Sequence, residues 1–254
     1  MTLGSPEGPF TRRVQGINLA ASPSRRMHEV TTCVEPRLPV TILVQGGIAS
    51  GKSTVGKLLA ARGATFLDCD KIAHEVLAEP EVAARLAEAF GPGVLDPEGR
   101  VDRKALGRVV FDDPAALRRL EALVHPGVRE RVQGALRSLA LEAAAAGAGA
   151  PRAVAVIDAA VASKMKLTEG LPGLDVGGRD YDVVVFVDVS PEIRRRRAAE
   201  RGWAPGELER REARQESLTV LEDRADVVIH NDGDLREAES HVERVWSEFV
   251  EPRR

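Results

Sequence analysis

Gly46-Gly-Ile-Ala-Ser-Gly-Lys-Ser53 fits G-x-x-x-x-G-K-[ST], the pattern of a backbone loop that wraps a phosphate. Glycines let the chain curl until several N–H groups converge on one anion, and a following helix adds the positive end of its dipole. Lys52 then supplies a mobile cation for the β- and γ-oxygens, and the Ser53 hydroxyl can ligate Mg²⁺. Gly47, Ala49, Ser50, Gly51 and Thr54 complete the nucleotide cradle. The pattern carries weight only with a strand before it and a helix after it. Val40-Thr-Ile-Leu-Val44 is such a strand, while Val55, Leu58 and Leu59 have helical spacing up to a stop at Gly63. A Gly/Ser-rich turn matching by accident explains this context poorly. The chain binds a nucleoside triphosphate.

Acids at strand ends decide what such a loop does. Asp68 and Asp70 follow the second strand, Ala64 to Leu67, at the edge where a parallel sheet gathers its ligands. A carboxylate there can take the proton of a substrate hydroxyl attacking the γ-phosphate, or hold Mg²⁺ through water. Either acid can equally cap the helix starting near Lys71, and spacing alone leaves these readings even. Asp158 and Asp188 each end an apolar strand and compete for the metal-supporting position. The sequence does not arbitrate between them.

Eight arginines lie between 192 and 215. Arg194, Arg197 and Arg201 share one helix face, which could close over a triphosphate, where a well-placed arginine is worth ~10³–10⁵ in rate. For any single arginine, a solvated face paired with Glu192, Glu200, Glu207, Glu209 or Glu212 is the better reading; for the cluster, a lid is. His74 lies one turn beyond Asp70 and shares its face, and His125-Pro126 reads as a helix–helix junction. His230 and His241 read as surface or packing residues.

These groups need a sheet to hold them. Further strands at Ala153–Ile157, Tyr181–Val187 and Val227–Ile229 alternate with helices, which means α/β with a mainly parallel sheet. A helical stretch from about Lys71 to Gly147 breaks at Pro80, Gly91-Pro92-Gly93, Asp96 to Gly99, Pro114 and Pro126, and Leu235 to Val250 closes the chain as one amphipathic helix. Residues 1–38 show no sustained period and read as a disordered leader. A net charge of −3, with acids interleaved among the arginines, argues against a nucleic-acid partner. Two cysteines exclude a disulfide scaffold or a cysteine-based zinc site. With no run of 18 apolar residues, the chain reads as a soluble, cytoplasmic enzyme without a membrane partner.

These residues resemble one family. The loop through Thr54, followed by Leu67-Asp-Cys-Asp-Lys-Ile-Ala-His74, is similar to the dephospho-CoA kinases with their D-x-D-x-[IL]-[AS]-[RH] segment. Phe90-Gly91, Leu95-Asp96, Glu98-Gly99, Val101-Asp-Arg103, Leu106, Val110-Phe111, Pro114, Leu120-Glu121 and His125-Pro126 follow that family's middle segment in order. Downstream, Val187-Asp-Val-Ser-Pro-Glu192, Arg197-x-x-x-Arg201, Arg211-x-x-x-Gln215 and Ala225-Asp-x-Val-Ile-x-Asn-x-Gly233 also fit.

The resemblance implies a three-layer P-loop kinase fold over 39–254, with a mainly parallel five-stranded sheet. It adds a helical CoA-binding insert at about 71–150 and an Arg-rich lid at about 192–222. It implies Asp70 as the general base on the ribose 3′-hydroxyl of dephospho-CoA, attacking ATP to give coenzyme A and ADP, the last step of CoA biosynthesis. Lys52 and Ser53 would serve the triphosphate and Mg²⁺, Arg197 and Arg201 the catalytic lid, and Asn231 the adenine end. His74, Arg103 and His125 would belong to the acceptor side, and the protein would be a monomer or weak homo-oligomer.

Three departures stand out. Ala49 replaces a loop glycine, which a negative φ would accommodate. Asp158-Ala-Ala-Val-Ala-Ser-Lys164 replaces a D-x-P-L-L-x-E-like run and precedes a longer 164–178 segment, and Leu221 stands where many members carry a basic residue. A kinase of another metabolite, or a non-catalytic nucleotide-binding protein, is the alternative reading; a guanine-reading N-K-x-D segment is absent.

Overall fold

β1 (Val40–Gly46) is buried at every residue but Gln45, because helices cover both faces of the sheet it centres. The computed structural model describes residues 38–111, 113–147, 149–159, 165–169, 171, 181–213 and 215–253. Four strands join β1: β2 (Thr65–Asp68), β3 (Val154–Asp158), β4 (Val183–Asp188) and β5 (Val227–His230). All pairings are parallel, in the order β2-β3-β1-β4-β5.

The two-residue period of a strand sorts its side chains between two cores. Val40, Ile42 and Val44 pack with Val55 and Leu59 of α1 (Lys52–Ala61) and with Val242 and Val245 of α9 (Leu235–Val245). Leu43, Ala155 and Ile157 face the opposite core, with Val76, Leu86, Val128, Val132 and Leu136 of the helical insert. That gives the three layers, and the runs of Val and Ile are what a sheet buried on both faces requires.

The insert between β2 and β3 comprises α2 (Cys69–Leu77), α3 (Pro80–Phe90), a 3₁₀ turn at Pro92–Val94, α4 (Arg103–Val110) and α5 (Pro114–Ala145). The segment between β4 and β5, expected as a lid, comprises α6 (Pro191–Glu200), α7 (Glu207–Glu212) and α8 (Leu218–Asp223). Leu221 is buried in α8, so an apolar side chain stands there for a packing reason.

Three expectations are corrected. His125-Pro126 is not a junction: α5 runs unbroken for 32 residues with Pro126 inside it. The proline removes one hydrogen bond, at about 3 kcal/mol. Val124, Val128, Val132 and Leu136 form a buried stripe across it, each contributing about 1.5–3 kcal/mol, so packing outweighs the break. The closing helix also changes winding, since Trp246–Val250 follows α9 as a π-helical segment. The wider turn keeps Trp246 and Val250, both buried, on the sheet side. Finally, Leu38, assigned to the leader, is buried, and its carbonyl accepts from Arg152 Nε at 2.9 Å. The rest of the leader, most of 160–180 and Arg254 lie outside the described residues. No helix among the described residues is long and apolar enough to cross a membrane.

Candidate active site

The loop leaves β1 at the sheet's switch point, where β1 is flanked by β3 and β4. Two glycines are required by close approach. A Cβ on Gly46 would lie 2.4 Å from the Val187 carbonyl oxygen, and one on Gly51 would lie 2.3 Å from Asn231 Nδ2. Gly51 also caps α1 in the left-handed region, with φ of 99°. Ala49 corrects the expectation of a negative φ: it is buried with φ of +62°, a conformation that burdens an L-residue by about 1–2 kcal/mol.

Lys52 opens α1, and its Nζ donates to the carbonyls of Gly47 at 2.9 Å and Gly46 at 3.2 Å. Burial pushes its pKa below the ordinary lysine value. Asp158, and after it Asp70, pull that pKa back up, while Arg201 pushes it further down. Lys52, Asp158, Asp70 and Arg201 therefore share one electrostatic site.

Of the two acids that end apolar strands, Asp158 is the one bonded to the phosphate-loop helix. Ser53 Oγ donates to its Oδ2 at 2.7 Å, and β3 sets Asp158 beside Val44 of β1. Asp188 turns elsewhere, with its Oδ2 3.2 Å from His230 Nδ1. Burial raises the Asp158 pKa; the Ser53 bond and Lys52 lower it, and Asp70 and Asp68 add to the rise. Asp68 and Asp70 also divide. Asp68 caps α2 by accepting from Lys71 N at 2.9 Å, whereas Asp70 stands exposed in the first turn. Between them, burial and the surrounding acids push the Cys69 thiol up to about 12, which makes it inert.

The arginine cluster splits by partner. Arg194 is buried against Glu212, Arg195 pairs with Glu192 and Glu209, Arg196 with Glu200, and Arg211 with Glu207 while stacking over Trp203. Arg197 instead forks onto backbone carbonyls. Its Nη1 donates to the Ser50 carbonyl at 2.9 Å and the Ala49 carbonyl at 3.4 Å, and its Nη2 to the Asn231 carbonyl at 3.0 Å. Asn231, expected at the adenine end, is buried against the same loop and donates from Nδ2 to the Ser50 carbonyl at 2.7 Å. Gln215 donates from Nε2 to the Gly46 carbonyl at 2.8 Å. In the sequence its one signal is the Arg211-x-x-x-Gln215 spacing, which says nothing about the loop.

Residues 40–146 match the family model for dephospho-CoA kinase. A dephospho-CoA kinase from Frankia casuarinae is 38% identical over 212 residues, covering 83% of this chain and 83% of that protein. The chain belongs to the dephospho-CoA kinase family. Another dephospho-CoA kinase, from Geobacter sulfurreducens, is 37% identical over 203 residues, 80% of this chain and 94% of that one. The crystal structure of TT1252 from Thermus thermophilus superposes with a TM-score of 0.65 at 31% identity, over 84% of this chain and 100% of that chain. A dephospho-CoA kinase structure from Campylobacter jejuni shares the fold, with a TM-score of 0.53 at 22% identity over 82% and 96%.

The dephospho-CoA kinase match covers the phosphate loop, Asp70 and the insert through α5. On that insert the structure sets His74 exposed one turn after Asp70, Arg103 exposed at the start of α4, and His125 half-buried within α5. Beside Arg103, Lys104, Gly107, Arg108 and Phe111 line an open cleft of about 360 Å³.

Proposed function

We propose that this member of the family binds ATP on the 46–53 loop and transfers its γ-phosphoryl group to the ribose 3′-hydroxyl of dephospho-CoA, with Asp70 as general base. The observation that carries the reading is the loop itself, with Lys52 Nζ seated on the Gly46 and Gly47 carbonyls and Ser53 Oγ bonded to Asp158 at 2.7 Å. Asp70 accepts the hydroxyl proton as the 3′-oxygen forms its bond to phosphorus and the bond to the bridging oxygen of ADP breaks; the proton then leaves to solvent. Lys52 exchanges its loop carbonyls for the β- and γ-oxygens.

Ser53 Oγ and the Asp158 carboxylate, 2.7 Å apart, are a hard oxygen pair of the kind Mg²⁺ prefers alongside phosphate oxygens. They would hold the ion, directly through Ser53 and through the carboxylate behind it. When bound, Mg²⁺ neutralises charge on the transferring phosphate. Arg201 supplies a cation from the lid, and Arg197 positions the loop. His74, Arg103 and His125 line the acceptor side, where the cations of the α4 cleft suit an anionic substrate. The enzyme works in the cytoplasm, as a monomer or weak homo-oligomer, on small molecules rather than nucleic acid.

The test is ADP release from Mg·ATP with and without dephospho-CoA, in wild type and Asp70→Asn. Dephospho-CoA-dependent turnover that falls ~10²–10⁴-fold in the variant, with ATP affinity kept, is expected. Turnover indifferent to dephospho-CoA would move the reading to another acceptor.

A further inference from the structure

The Gly46 carbonyl receives two side-chain donors, Gln215 Nε2 at 2.8 Å and Lys52 Nζ at 3.2 Å. One of them is a cation that, on the reading above, must leave when ATP arrives. The other comes from the stretch between α7 and α8, where the lid returns to the sheet. Gln215 Oε1 is buried and meets no donor among the described residues, so the Gly46 bond is the one polar contact found for this amide. We infer that Gln215 is a positioning residue that frees Lys52: it holds the Gly46 carbonyl while the ammonium moves to the triphosphate.

The consequence is asymmetric between the two states. Without Gln215, the free enzyme keeps Lys52 on Gly46, and the unmatched Oε1 disappears with the amide. The ATP-bound state, by contrast, leaves the Gly46 carbonyl without either side-chain donor. Loss of Gln215 therefore falls on ATP binding and not on the stability of the free protein.

The inference rests on the proposed role of Lys52, and a double-mutant cycle separates the two. Calorimetric titration with Mg·ATP should show a roughly three- to tenfold weaker Kd for Gln215→Met, with the free protein's Tm and the KM for dephospho-CoA unchanged. In a Lys52→Met background no ammonium moves, so adding Gln215→Met should leave the Kd alone and lower the Tm. An equal loss of ATP affinity in both backgrounds, or a lowered Tm with intact affinity in the wild-type background, overturns the inference. If Lys52→Met itself leaves ATP affinity intact, the role of Lys52 fails instead. Gln215→Glu gives a second readout: a carboxylate beside the ammonium should hold Lys52 back and weaken ATP more than Gln215→Met does.

Discussion

Ser53 Oγ and Asp158 Oδ2 lie 2.7 Å apart although 105 residues separate them in the chain, and their bond distinguishes two acids that look alike in sequence. Outer partners of a metal ligand typically set affinity by 10–100-fold. Asp158→Asn should therefore raise the Mg²⁺ concentration for half-maximal activity by about 10–100-fold. Asp188→Asn, whose carboxylate meets His230, should leave that concentration near wild type. Mg²⁺ titrations of both variants decide it, and matching shifts would remove the distinction.

The pH dependence of ATP binding follows from the charges around Lys52. Burial holds its pKa below the ordinary lysine value, and Asp158 opposes that depression. In Asp158→Asn the opposing charge is gone, the pKa falls further, and the alkaline loss of ATP affinity should begin at lower pH. Arg201 acts in the opposite sense, so Arg201→Gln should move that limb to higher pH. In the nucleotide-free protein the depressed pKa is a source of instability, fully present below the folded value and relieved as pH climbs towards 10.5. Binding isotherms across the alkaline range test both shifts; movement in the same direction would contradict the assignment.

Arg197 grips three backbone carbonyls, a geometry that a lysine's single ammonium does not reproduce. Arg197→Lys should cost about 1–3 kcal/mol through carbonyls left unmatched. For a domain of this size that corresponds to a Tm lower by roughly 2–12 °C. ATP binding should weaken in parallel. A thermal melt and an ATP titration on one preparation check the pair.

At Ala49 three effects nearly cancel for glycine. Relief of the left-handed strain returns about 1–2 kcal/mol, against a lost methyl at about 0.8 kcal/mol and glycine's added chain entropy. Ala49→Gly should lie within about 1 kcal/mol of wild type. Ala49→Val, β-branched at the same positive φ in a buried site, should be destabilised by at least about 2 kcal/mol. Urea denaturation of both variants measures this, and a stable valine variant would refute the backbone assignment.

Pro126 stands within a helix whose packing outweighs it. Pro126→Ala should restore the missing N–H bond towards Ala122 and stabilise the protein by up to about 3 kcal/mol. A lower Tm would show that the proline is needed for the close fit of Gly127 against Val76, where a Cβ would come within 3.0 Å.

Local signals made much of this protein legible in its chain. Val40 to Val44 and Ala153 to Ile157 read as strands because apolar runs buried on both faces need no partner information to be recognised. The phosphate loop is legible because a bound anion demands glycines at fixed spacing, whereas spacing leaves Asp68 and Asp70 even, and the fold shows Asp68 as the cap of α2.

Other assignments needed the folded chain. The Asp158 bond spans 105 residues, the Arg197 grip on Ser50 spans 147, and the Gln215 bond to Gly46 spans 169. Spacing places Arg197 on a face apart from Arg195 and Arg196, which pair with glutamates on their own helix or the next, but gives no sign that its partners are backbone carbonyls. Likewise Pro126 carries a local signal to break, overruled by a stripe whose burial exists only once α5 lies against the sheet and α2. Periodicity and spacing are properties of neighbours in the chain, whereas hydrogen-bond partners and burial arise when distant segments meet, and that meeting separated Asp158 from Asp188 and gave Arg197 and Gln215 their partners on the loop.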